Sequence, residues 1–436
     1  MQTIKNTVKQ LVKEEWLAPY YFLKAWFWAL YYRMPAKDMV IVGVTGTKGK
    51  TSTSNYVWSV ATAGGFLSGI LTTANFRIGP KNEVNAFHMT MPSARFIQKK
   101  LREMKEAGVK IAVVEMTSEG MKQFRHIGIP VDIAIFTNLT PEHLGSHKNN
   151  FDLYKKAKSP LFKALKQKNT KSFVGMQVPR TIIANADSVH SDYYLSFPAE
   201  KKITYGITQG DIRATAIIEE VTGTRFVVQG QKMRLSIPGQ FNIYNALPAC
   251  IVGTILQMPI EKIREGMESL GVIPGRMERI TEGQPFTVIV DYAHEPASMT
   301  ALLDSARSIK QSSGKIILLT GVIGGGRASR IPLIEVASSK ADILIITNED
   351  PYDDDPEYMI DKLVEKAVAC GKTKGTTVLP IIDRKKAIAT ALSLATPADI
   401  VLISGKGAET TMMVKGGAVP FDEREITKEL ARTYAK

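Results

Sequence analysis

Short apolar runs alternate with stretches of helical periodicity along most of the chain. In the first such region, from residue 39 to about 273, the strand-like runs are 40–44, 111–115, 133–138 and 181–184. A second region follows a Pro274-Gly275 pair, and its strand-like runs are 287–290, 315–320, 343–347, 376–380 and 400–404. This alternation predicts an α/β fold with mostly parallel sheets, in which the second region is a doubly wound, Rossmann-like domain.

Four further runs between residues 203 and 237 differ from this pattern. They are shorter, alternate with polar residues, and occupy 203–206, 214–219, 225–228 and 232–237. We expect them to form a more antiparallel β patch at the surface. The predicted domains are therefore an aromatic segment at 1–38, a central domain at 39–275 and a C-terminal domain at 276–436.

The segment before residue 39 is rich in bulky aromatic residues. Trp16, Trp26 and Trp28 lie here, whereas Pro19 and Lys24 interrupt the apolar run, so a transmembrane span is not expected. The segment lacks the small-residue cleavage site of a signal peptide, so a signal peptide is not expected. Two interpretations stay open: a helix at 14–34 lying in the headgroup region of a membrane, or a helix packed on the protein or on a second subunit.

Charge and cysteine content narrow the class of partner. The 436 residues include 56 Lys or Arg and 42 Asp or Glu, a net charge of +14, which favours anionic partners such as nucleotides. No nucleic-acid-binding motif accompanies this charge, so nucleic acid is not an expected partner. Only Cys250 and Cys370 are present, which favours a reducing, cytoplasmic setting and argues against a cysteine-based zinc site.

A glycine-rich turn after the first predicted strand carries the strongest chemical signal. The sequence Gly46-Thr-Lys-Gly-Lys-Thr51 stands between a strand-like run and a helical pattern. Glycines in such a turn let backbone N–H groups face phosphate oxygens, and the following helix adds partial positive charge. We expect Lys50 to reach phosphates and Thr51 to place its hydroxyl on Mg²⁺.

Polar residues also follow two other predicted strands. Glu115 ends the run at 111–115, and Asn138 ends the run at 133–138. The loop after Asn138 contains His143 and His147. Because the carboxyl ends of parallel strands meet at one edge of a sheet, these side chains are expected near the glycine-rich turn. A carboxylate at this position suits Mg²⁺.

The order of motifs along the chain resembles the Mur ligase family, from residue 39 to the C-terminus. The matching motifs are Gly46-Thr-Lys-Gly-Lys-Thr51, Glu115, Thr137-Asn-Leu-Thr-Pro-Glu-His143, Tyr154-x-x-Ala-Lys158, Gly239-Gln-Phe-Asn242-Ile-Tyr-Asn245, Pro274-Gly-Arg276, Asp291-Tyr-Ala-His294, Gly405-Lys-Gly-Ala-Glu409 and Phe421-Asp-Glu-Arg-Glu. Within the family, the likeness is strongest to the MurE type, which adds the third amino acid to a UDP-muramoyl dipeptide. The resemblance implies a central P-loop-type ATPase domain and a C-terminal Rossmann-like ligase domain.

The same resemblance implies an ATP-dependent amide ligase that acts through an acyl phosphate. It assigns catalytic roles to Lys50, His143 and Lys158, with Lys158 carbamylated, and two Mg²⁺ ions to Thr51, Glu115, His143 and Lys158. Nucleotide binding falls to Gly46, Thr47, Lys48, Gly49, Lys50, Thr51, Ser52, Asn242, Asn245, Arg276 and Asp291. Substrate binding falls to Thr90, Ser118, Arg125, His294, Glu349, Asp350, Tyr352, Gly405 and Glu409.

Departures from the family pattern bear on the substrates. The family's third-residue ligases carry an N-terminal domain that holds the UDP group, and here only the aromatic segment precedes the turn, so we expect a peptidoglycan-type acceptor, soluble or lipid-linked, to be held differently. The arginine of the diaminopimelate motif is replaced in Glu349-Asp-Pro-Tyr352, which removes a clamp for a distal carboxylate. The acidic run at 353–355 instead favours a cationic, lysine-like amino acid, with diaminopimelate as the other candidate.

Two other functions remain open at this stage. One is a poly-γ-glutamate or cyanophycin-type ligase, whose enzymes share this core. The other is a nucleotide-binding partner without catalysis. The phosphate and metal residues Lys50, Thr51, Glu115, His143 and Lys158 are all present, which favours an enzyme.

Overall fold

Two sets of buried apolar strands form the cores of two units of the chain. The structure is a computed structural model that describes residues 17–85, 87, 89–141, 144–166, 170–220, 222–324 and 331–435. The first unit comprises the residues up to Thr215 with Val228–Gln231 and Tyr244–Ser269, and the second comprises Ala216–Val227, Lys232–Ile243 and the residues from Leu270 onward.

The strands of the first unit are short and mostly parallel. They are β1 (Val40–Thr45), β2 (Ser68–Leu71), β3 (Asn75–Ile78), β4 (Lys81–Val84), β5 (Ile111–Glu115), β6 (Ile133–Phe136), β7 (Lys171–Phe173), β8 (Met176–Val178), β9 (Thr181–Asn185) and β10 (Lys201–Gly206). In the main sheet their order is β10-β9-β6-β1-β5-β2-β3-β4, and β7 pairs separately with β8. The strands β11 (Ile212–Glu220), β12 (Gly223–Val228) and β13 (Gln231–Leu235) follow along the chain.

Helices connect these strands, as the predicted alternation requires. They are α1 (Ala18–Tyr31), α2 (Lys50–Ala63), α3 (Ala94–Glu106), α4 (Ser118–Lys122), α5 (Phe151–Ala157), α6 (Ser159–Lys163), α7 (Ser191–Leu195), α8 (Gln240–Ile255) and α9 (Ile260–Ser269), with 3₁₀ turns at Pro35–Asp38, Leu144–His147 and Ala164–Lys166. Ser93 begins α3 by accepting a hydrogen bond from the Phe96 N–H at 3.1 Å, a cap that supplies one of the partners the first helical turn lacks.

The central strand β1 explains where the site lies. All six of its residues are buried, as expected for a parallel strand covered on both faces. It pairs in parallel with β5, where Val44 is opposite Glu115, and with β6, where Thr45 is opposite Phe136. The ends of these three strands therefore bring the glycine-rich turn, Glu115 and the loop after β6 to one edge.

The predicted antiparallel patch is wrong for its first strand. β10 pairs in parallel with β9, and residues Tyr205 and Gly206 pair in parallel with Ile212 and Arg213 of β11. The helix α7 between β9 and β10 provides the crossover that a parallel pair needs. β10 is exposed at Lys201 and Lys202 and buried at Tyr205 and Gly206, and it continues the main sheet.

The second unit contains the doubly wound sheet that the sequence predicts. Its strands β14 (Glu278–Ile280), β15 (Thr287–Asp291), β16 (Ile316–Thr320), β17 (Ile343–Ile346), β18 (Val378–Pro380) and β19 (Ile400–Ser404) lie in the order β14-β15-β19-β16-β17-β18. Apart from the antiparallel β14–β15 pair, the pairs are parallel. The remaining elements are the hairpin of β20 (Thr411–Val414) and β21 (Gly417–Pro420) and the helices α10 (Pro296–Ile309), α11 (Leu333–Lys340), α12 (Pro356–Ala369), α13 (Arg384–Ser393) and α14 (Glu423–Arg432).

The aromatic segment is helical where the structure describes it. Helix α1 packs against α3 and buries Ala25 and Ala29. No described helix has both the length and the apolar character needed to cross a membrane.

Helices α2 and α9 approach each other closely at Gly266. A Cβ built at Gly266 would lie 2.8 Å from the Val60 nitrogen and 2.9 Å from the Ser59 carbonyl oxygen. The Ser59 hydroxyl also donates to the Gly266 carbonyl at 2.6 Å. The glycine therefore sets the distance between the helix that follows the phosphate turn and its neighbour.

We expect Gly266→Ala to lower the free energy of unfolding by about 1–3 kcal/mol, because the added methyl group overpacks this contact. Urea denaturation measures the change. The matched control is Gly271→Ala, where a Cβ meets nothing within 4 Å and the change is expected to stay within about 0.5 kcal/mol. Equal stabilities of the two variants would contradict this view of the helix contact.

Candidate active site

The glycine-rich turn is held in place by the loop that follows β6. The Thr47 N–H donates to the Asn138 carbonyl at 2.9 Å, and the Lys48 N–H donates to the Asn138 side-chain oxygen at 2.9 Å. The Thr137 hydroxyl donates to the Lys48 carbonyl at 2.7 Å. The conformation of the turn is therefore built into the unit by residues that lie about ninety positions away along the chain. Gly46 lies at the start of this turn with φ +152°.

Gly49 joins the turn to helix α2. Its φ is +80°, a left-handed conformation that favours glycine, and the Asn245 side chain occupies the place where a Cβ would lie. Asn245, in α8, thus packs against the glycine-rich turn. Asn242 lies one turn earlier in α8 and donates to the Pro238 carbonyl at 2.7 Å.

Lys50 and Thr51 begin helix α2 and face the end of β5. The Lys50 ammonium donates to the Thr47 carbonyl at 2.8 Å and lies 3.9 Å from a Glu115 carboxylate oxygen. The Thr51 hydroxyl donates to the other Glu115 oxygen at 2.9 Å. Ser52 is buried in the same helical turn. A cation and a hydroxyl thus lie beside one buried carboxylate.

Glu115 also fixes a loop that sequence reasoning did not assign. Thr73, after β2, donates its N–H and its hydroxyl to the two Glu115 oxygens at 2.9 and 3.0 Å. The Thr73 hydroxyl lies 2.6 Å from the Thr90 hydroxyl, which connects the predicted substrate residue Thr90 to this carboxylate. The two adjacent threonines at 72 and 73 gave no motif that pointed to this role.

The donor set fits Mg²⁺ bound together with a nucleotide. Protein magnesium sites with phosphate ligands use one or two carboxylates and keep several waters, and the Glu115 carboxylate and Thr51 hydroxyl offer such oxygens. Among the described residues, no three His, Cys, Asp or Glu side chains form a group that could hold a metal ion alone. His143, a predicted ligand, lies outside the described residues.

Lys158 is buried next to the glycine-rich turn. Only 2% of its surface is exposed. Its ammonium donates to the Gly46 carbonyl at 3.0 Å and lies 4.5 Å from the centre of the Tyr154 ring. The Tyr154 hydroxyl is 3.0 Å from the Thr47 hydroxyl, so both side chains contact the turn. Lys158 is therefore not part of a solvated helix face.

The other predicted substrate residues of the first unit lie around α4. Ser118 begins this helix, and its hydroxyl is 3.0 Å from Nε2 of buried His147. Arg125 donates to the Met91 carbonyl and the Gln123 side chain, and burial lowers its pKa. Arg125 therefore contacts Met91, the residue that follows Thr90 along the chain.

In the second unit, the predicted nucleotide residues lie at the carboxyl end of β15. The Asp291 carboxylate accepts the N–H groups of Met277 and Ala293 at 2.7 and 2.8 Å. The Arg276 guanidinium stacks on the Tyr292 ring, 4.4 Å from its centre. Nδ1 of buried His294 lies 2.6 Å from the Tyr292 carbonyl.

Lys406, a buried lysine that we did not predict, contacts two predicted substrate residues. The Lys406 ammonium contacts the carboxylates of Asp350 and Glu409 at 2.8 and 2.9 Å. Burial opposes the charge of Lys406, yet these carboxylates hold its pKa above the ordinary value. Glu409 also accepts a hydrogen bond from the Tyr292 hydroxyl at 3.2 Å. The sequence offered one signal for this lysine, the two glycines that flank Lys406 after a predicted strand.

A cavity of about 400 Å³ lies at the start of helix α12. It is lined by Asn348, Pro351, Tyr352, Asp353, Asp354, Asp355, Pro356, Val414 and Lys415. The predicted residue Tyr352 and the acidic run therefore share one pocket, together with Lys415, which sequence reasoning did not single out. Asp355 also caps the helix by accepting the Glu357 N–H at 3.0 Å.

Glu349 follows the pocket residue Asn348 along the chain and is buried. It is 1% exposed, and among the described residues its Oε2 has no hydrogen-bond partner. A Cβ at Gly405, where φ is +123°, would approach that oxygen to 2.6 Å, so the glycine leaves room for the carboxyl group. Burial raises the pKa of Glu349 to about 8.

We expect Glu349→Gln to flatten the dependence of stability on pH. The folded protein holds the Glu349 proton up to about pH 8, whereas the unfolded chain releases it near pH 4.5, so this residue makes the wild type lose stability as pH rises through that window. The slope from this residue approaches about 1.4 kcal/mol per pH unit. Urea denaturation of both proteins from pH 5 to 9 measures it, and parallel curves would contradict the burial of an ionisable carboxyl group.

Comparisons with known proteins agree with this arrangement. Residues 44–253 match the model of the Mur ligase middle domain, and residues 275–407 match that of the Mur ligase glutamate ligase domain. A UDP-N-acetylmuramyl-tripeptide synthetase of Roseiflexus sp. (strain RS-1) is 37% identical over 406 residues, which cover 91% of this chain and 79% of the relative.

Two further relatives carry the name of a single ligase. A UDP-N-acetylmuramoyl-L-alanyl-D-glutamate–2,6-diaminopimelate ligase of Bacillus cereus is 33% identical over 432 residues, covering 98% of this chain and 82% of the relative. A solved structure of a ligase with the same name has a TM-score of 0.62 at 25% identity, covering 91% of this chain and 79% of that one. The chain belongs to the Mur ligase family of ATP-dependent amide ligases.

Proposed function

We propose that this protein is a MurE-type ligase that adds a diamino acid to a peptidoglycan-type precursor peptide. The observation that carries the proposal is the cluster of Lys50, Thr51 and Glu115 at the glycine-rich turn, with its contacts of 2.9 and 3.9 Å. The names of the relatives at 33% and 37% identity support the same reaction class.

The reaction couples ATP cleavage to amide formation in two steps. An acceptor carboxylate oxygen attacks the γ-phosphorus, the bond to ADP breaks, and an acyl phosphate forms. The amine of the incoming amino acid then attacks the acyl carbon, an amine proton is lost, and inorganic phosphate leaves. Both partners of the first step are anions, so cations must offset their repulsion.

The residues of the turn supply that positive charge and the orientation. Gly46, Thr47, Lys48 and Gly49 offer backbone N–H groups to phosphate oxygens, and the Lys50 ammonium places a charge beside them. One Mg²⁺ would be held by Thr51 and a second by Glu115, His143 and carbamylated Lys158. Mg²⁺ supplies charge neutralisation at the transferred phosphate.

Carbamylation is the form in which Lys158 could serve as a ligand. An ammonium repels a metal ion, whereas a carbamate is an oxygen donor with a negative charge. Buried next to the turn at Gly46, the side chain is near the phosphates that the proposal places there.

Other residues are assigned to the adenosine and to the acceptor. Asn242 and Asn245 would approach the adenine side, Arg276 the phosphates and Asp291 the ribose. The acceptor peptide, carried by UDP-muramic acid or by a lipid-linked precursor, would lie against Thr90, Ser118 and Arg125. The link from Thr90 through Thr73 to Glu115 supports this placement.

The incoming amino acid is assigned to the pocket at the start of α12. Three aspartates and one lysine line it, a charge balance that favours a cationic side chain and gives one ammonium for a carboxylate. Tyr352 lines the same pocket, whereas Glu349, Asp350 and Gly405 lie outside its lining. Glu409 would accept the α-amine and His294 lies in the neighbouring loop. Lysine-like amino acids fit these charges better than diaminopimelate.

We also propose domain limits at 38 and 275 and a cytoplasmic location. The two family models match on either side of the Pro274-Gly275 pair, at 44–253 and 275–407. Dependence on ATP and two cysteines without a disulfide bond support a reducing compartment.

We expect Lys50→Met to lower ADP release that depends on both acceptor and amine by at least about a hundredfold, because it removes the charge beside the transferred phosphate. The assay screens UDP-muramoyl dipeptide and lipid-linked precursors, each with lysine, diaminopimelate and ornithine. Lys110→Met is the control, since this exposed lysine precedes β5 at the opposite end of the strand. Retained turnover in Lys50→Met would refute the assignment, and a polymeric product would favour the poly-γ-glutamate or cyanophycin-type reaction.

We expect Asp353→Asn to raise the KM for lysine about fivefold, because one exposed charge of the pocket is worth about 1 kcal/mol. The KM for the acceptor is expected to stay unchanged. Asp361→Asn, in helix α12 and outside the pocket lining, is the charge-matched control. Steady-state kinetics compares the three proteins, and equal KM values for lysine would reject this pocket as its binding site.

A further inference from the structure

We propose that helix α1 docks this protein on the surface of an anionic lipid bilayer. The proposal concerns a surface outside the ligase site and does not depend on the proposed reaction. Helix α1 has a broad apolar face that stays exposed among the described residues, and we assign the lipid surface as its partner.

The helix is attached to the first unit by its small residues and by two aromatic side chains. The Phe22 ring contacts the edge of the Phe124 ring, 5.5 Å away, and Trp28 contacts Arg95 of α3. Ala25 and Ala29 are buried, and α1 packs on α3 along this side. Gly128 faces Ala29, because a Cβ there would lie 2.5 Å from the Ala29 methyl group. Most of the large side chains of the helix stay exposed.

Those large side chains form a continuous exposed face, called here the aromatic face. It consists of Tyr20, Phe22, Leu23, Trp26, Phe27, Leu30 and Tyr31, which are 37–67% exposed. At 100° per residue these positions cover half of the helix circumference. With about 200 Å² for each large side chain, the exposed apolar area is on the order of 700 Å², above the usual largest patch of a monomer.

The described residues from helix α1 to Lys37 carry only positive charges. Helix α1 contains no acidic residue, and exposed Lys24, Arg33 and Lys37 lie in it or just after it. The Arg95 guanidinium stacks on Trp28 at 4.9 Å, so a further cation borders the face. Acidic Asp38 is paired with Lys105. An anionic surface therefore complements both the charge and the apolar character of this helix.

Two features favour a lipid surface over a second copy of the chain. In a twofold dimer through this face, the same cations would approach each other. Tyrosine and tryptophan combine an apolar ring with a polar group, a pairing suited to the headgroup region. At 14 residues the helix is about 21 Å long, shorter than the roughly 30 Å hydrocarbon core, so it would lie in the plane of the interface.

Vesicle flotation of the full chain tests this proposal. The wild type is expected to float with vesicles of phosphatidylcholine and phosphatidylglycerol, and less with phosphatidylcholine alone. Leu23→Gln/Phe27→Gln/Leu30→Gln should reduce the partition coefficient more than tenfold, because three exposed apolar side chains no longer enter the interface. Tryptophan fluorescence should shift to shorter wavelength with anionic vesicles in the wild type only.

The matched control is Val189→Gln/Ile218→Gln/Tyr358→Gln, which changes three exposed apolar residues elsewhere and should float like the wild type. Lys24→Gln/Lys37→Gln gives a second, independent variant, expected to lose the preference for anionic vesicles. The proposal is overturned if the wild type stays unbound, if the Leu23, Phe27 and Leu30 variant floats as well as the wild type, or if that variant only abolishes a concentration-dependent dimer.

Discussion

The carboxylate of Glu115 is the interaction on which the first unit's site depends. Buried at the end of β5, it accepts hydrogen bonds from Thr51 and Thr73 and lies 3.9 Å from the Lys50 ammonium. A buried carboxylate without such partners would be strongly destabilising, so the three segments are held together by its need for donors. Because strand pairing places Glu115 opposite Val44, formation of the sheet brings this carboxylate next to the end of β1.

The second unit uses buried ion pairs in the same way. Arg384 contacts Glu423 at 2.6 Å, and Lys406 contacts Asp350 at 2.8 Å, with both cationic side chains fully buried. Pairs of this kind add little net stability, because desolvation offsets their attraction. Their effect is on geometry, since they fix the loops after parallel strands that border the pocket beside α12.

The apolar pattern was sufficient to predict the fold class and the position of Glu115 at the end of a strand. Buried parallel strands appear in a sequence as continuous apolar runs. The pattern was wrong for β10, whose first two residues are exposed although the strand continues the main parallel sheet. The partners of Thr73 and the contact of Lys406 with Asp350 could not be predicted, since they join residues far apart along the chain. The burial of Lys158 was likewise invisible to composition, although the family resemblance selected the residue.

We propose that ATP activates the acceptor carboxylate as an acyl phosphate. An acceptor peptide labelled with ¹⁸O in that carboxylate tests it most directly, with ATP and the amine, followed by mass spectrometry of the released inorganic phosphate. We expect one ¹⁸O atom in each phosphate, because the attacking carboxylate oxygen leaves with the phosphoryl group. Phosphate without the label, formed together with the amide product, would contradict it.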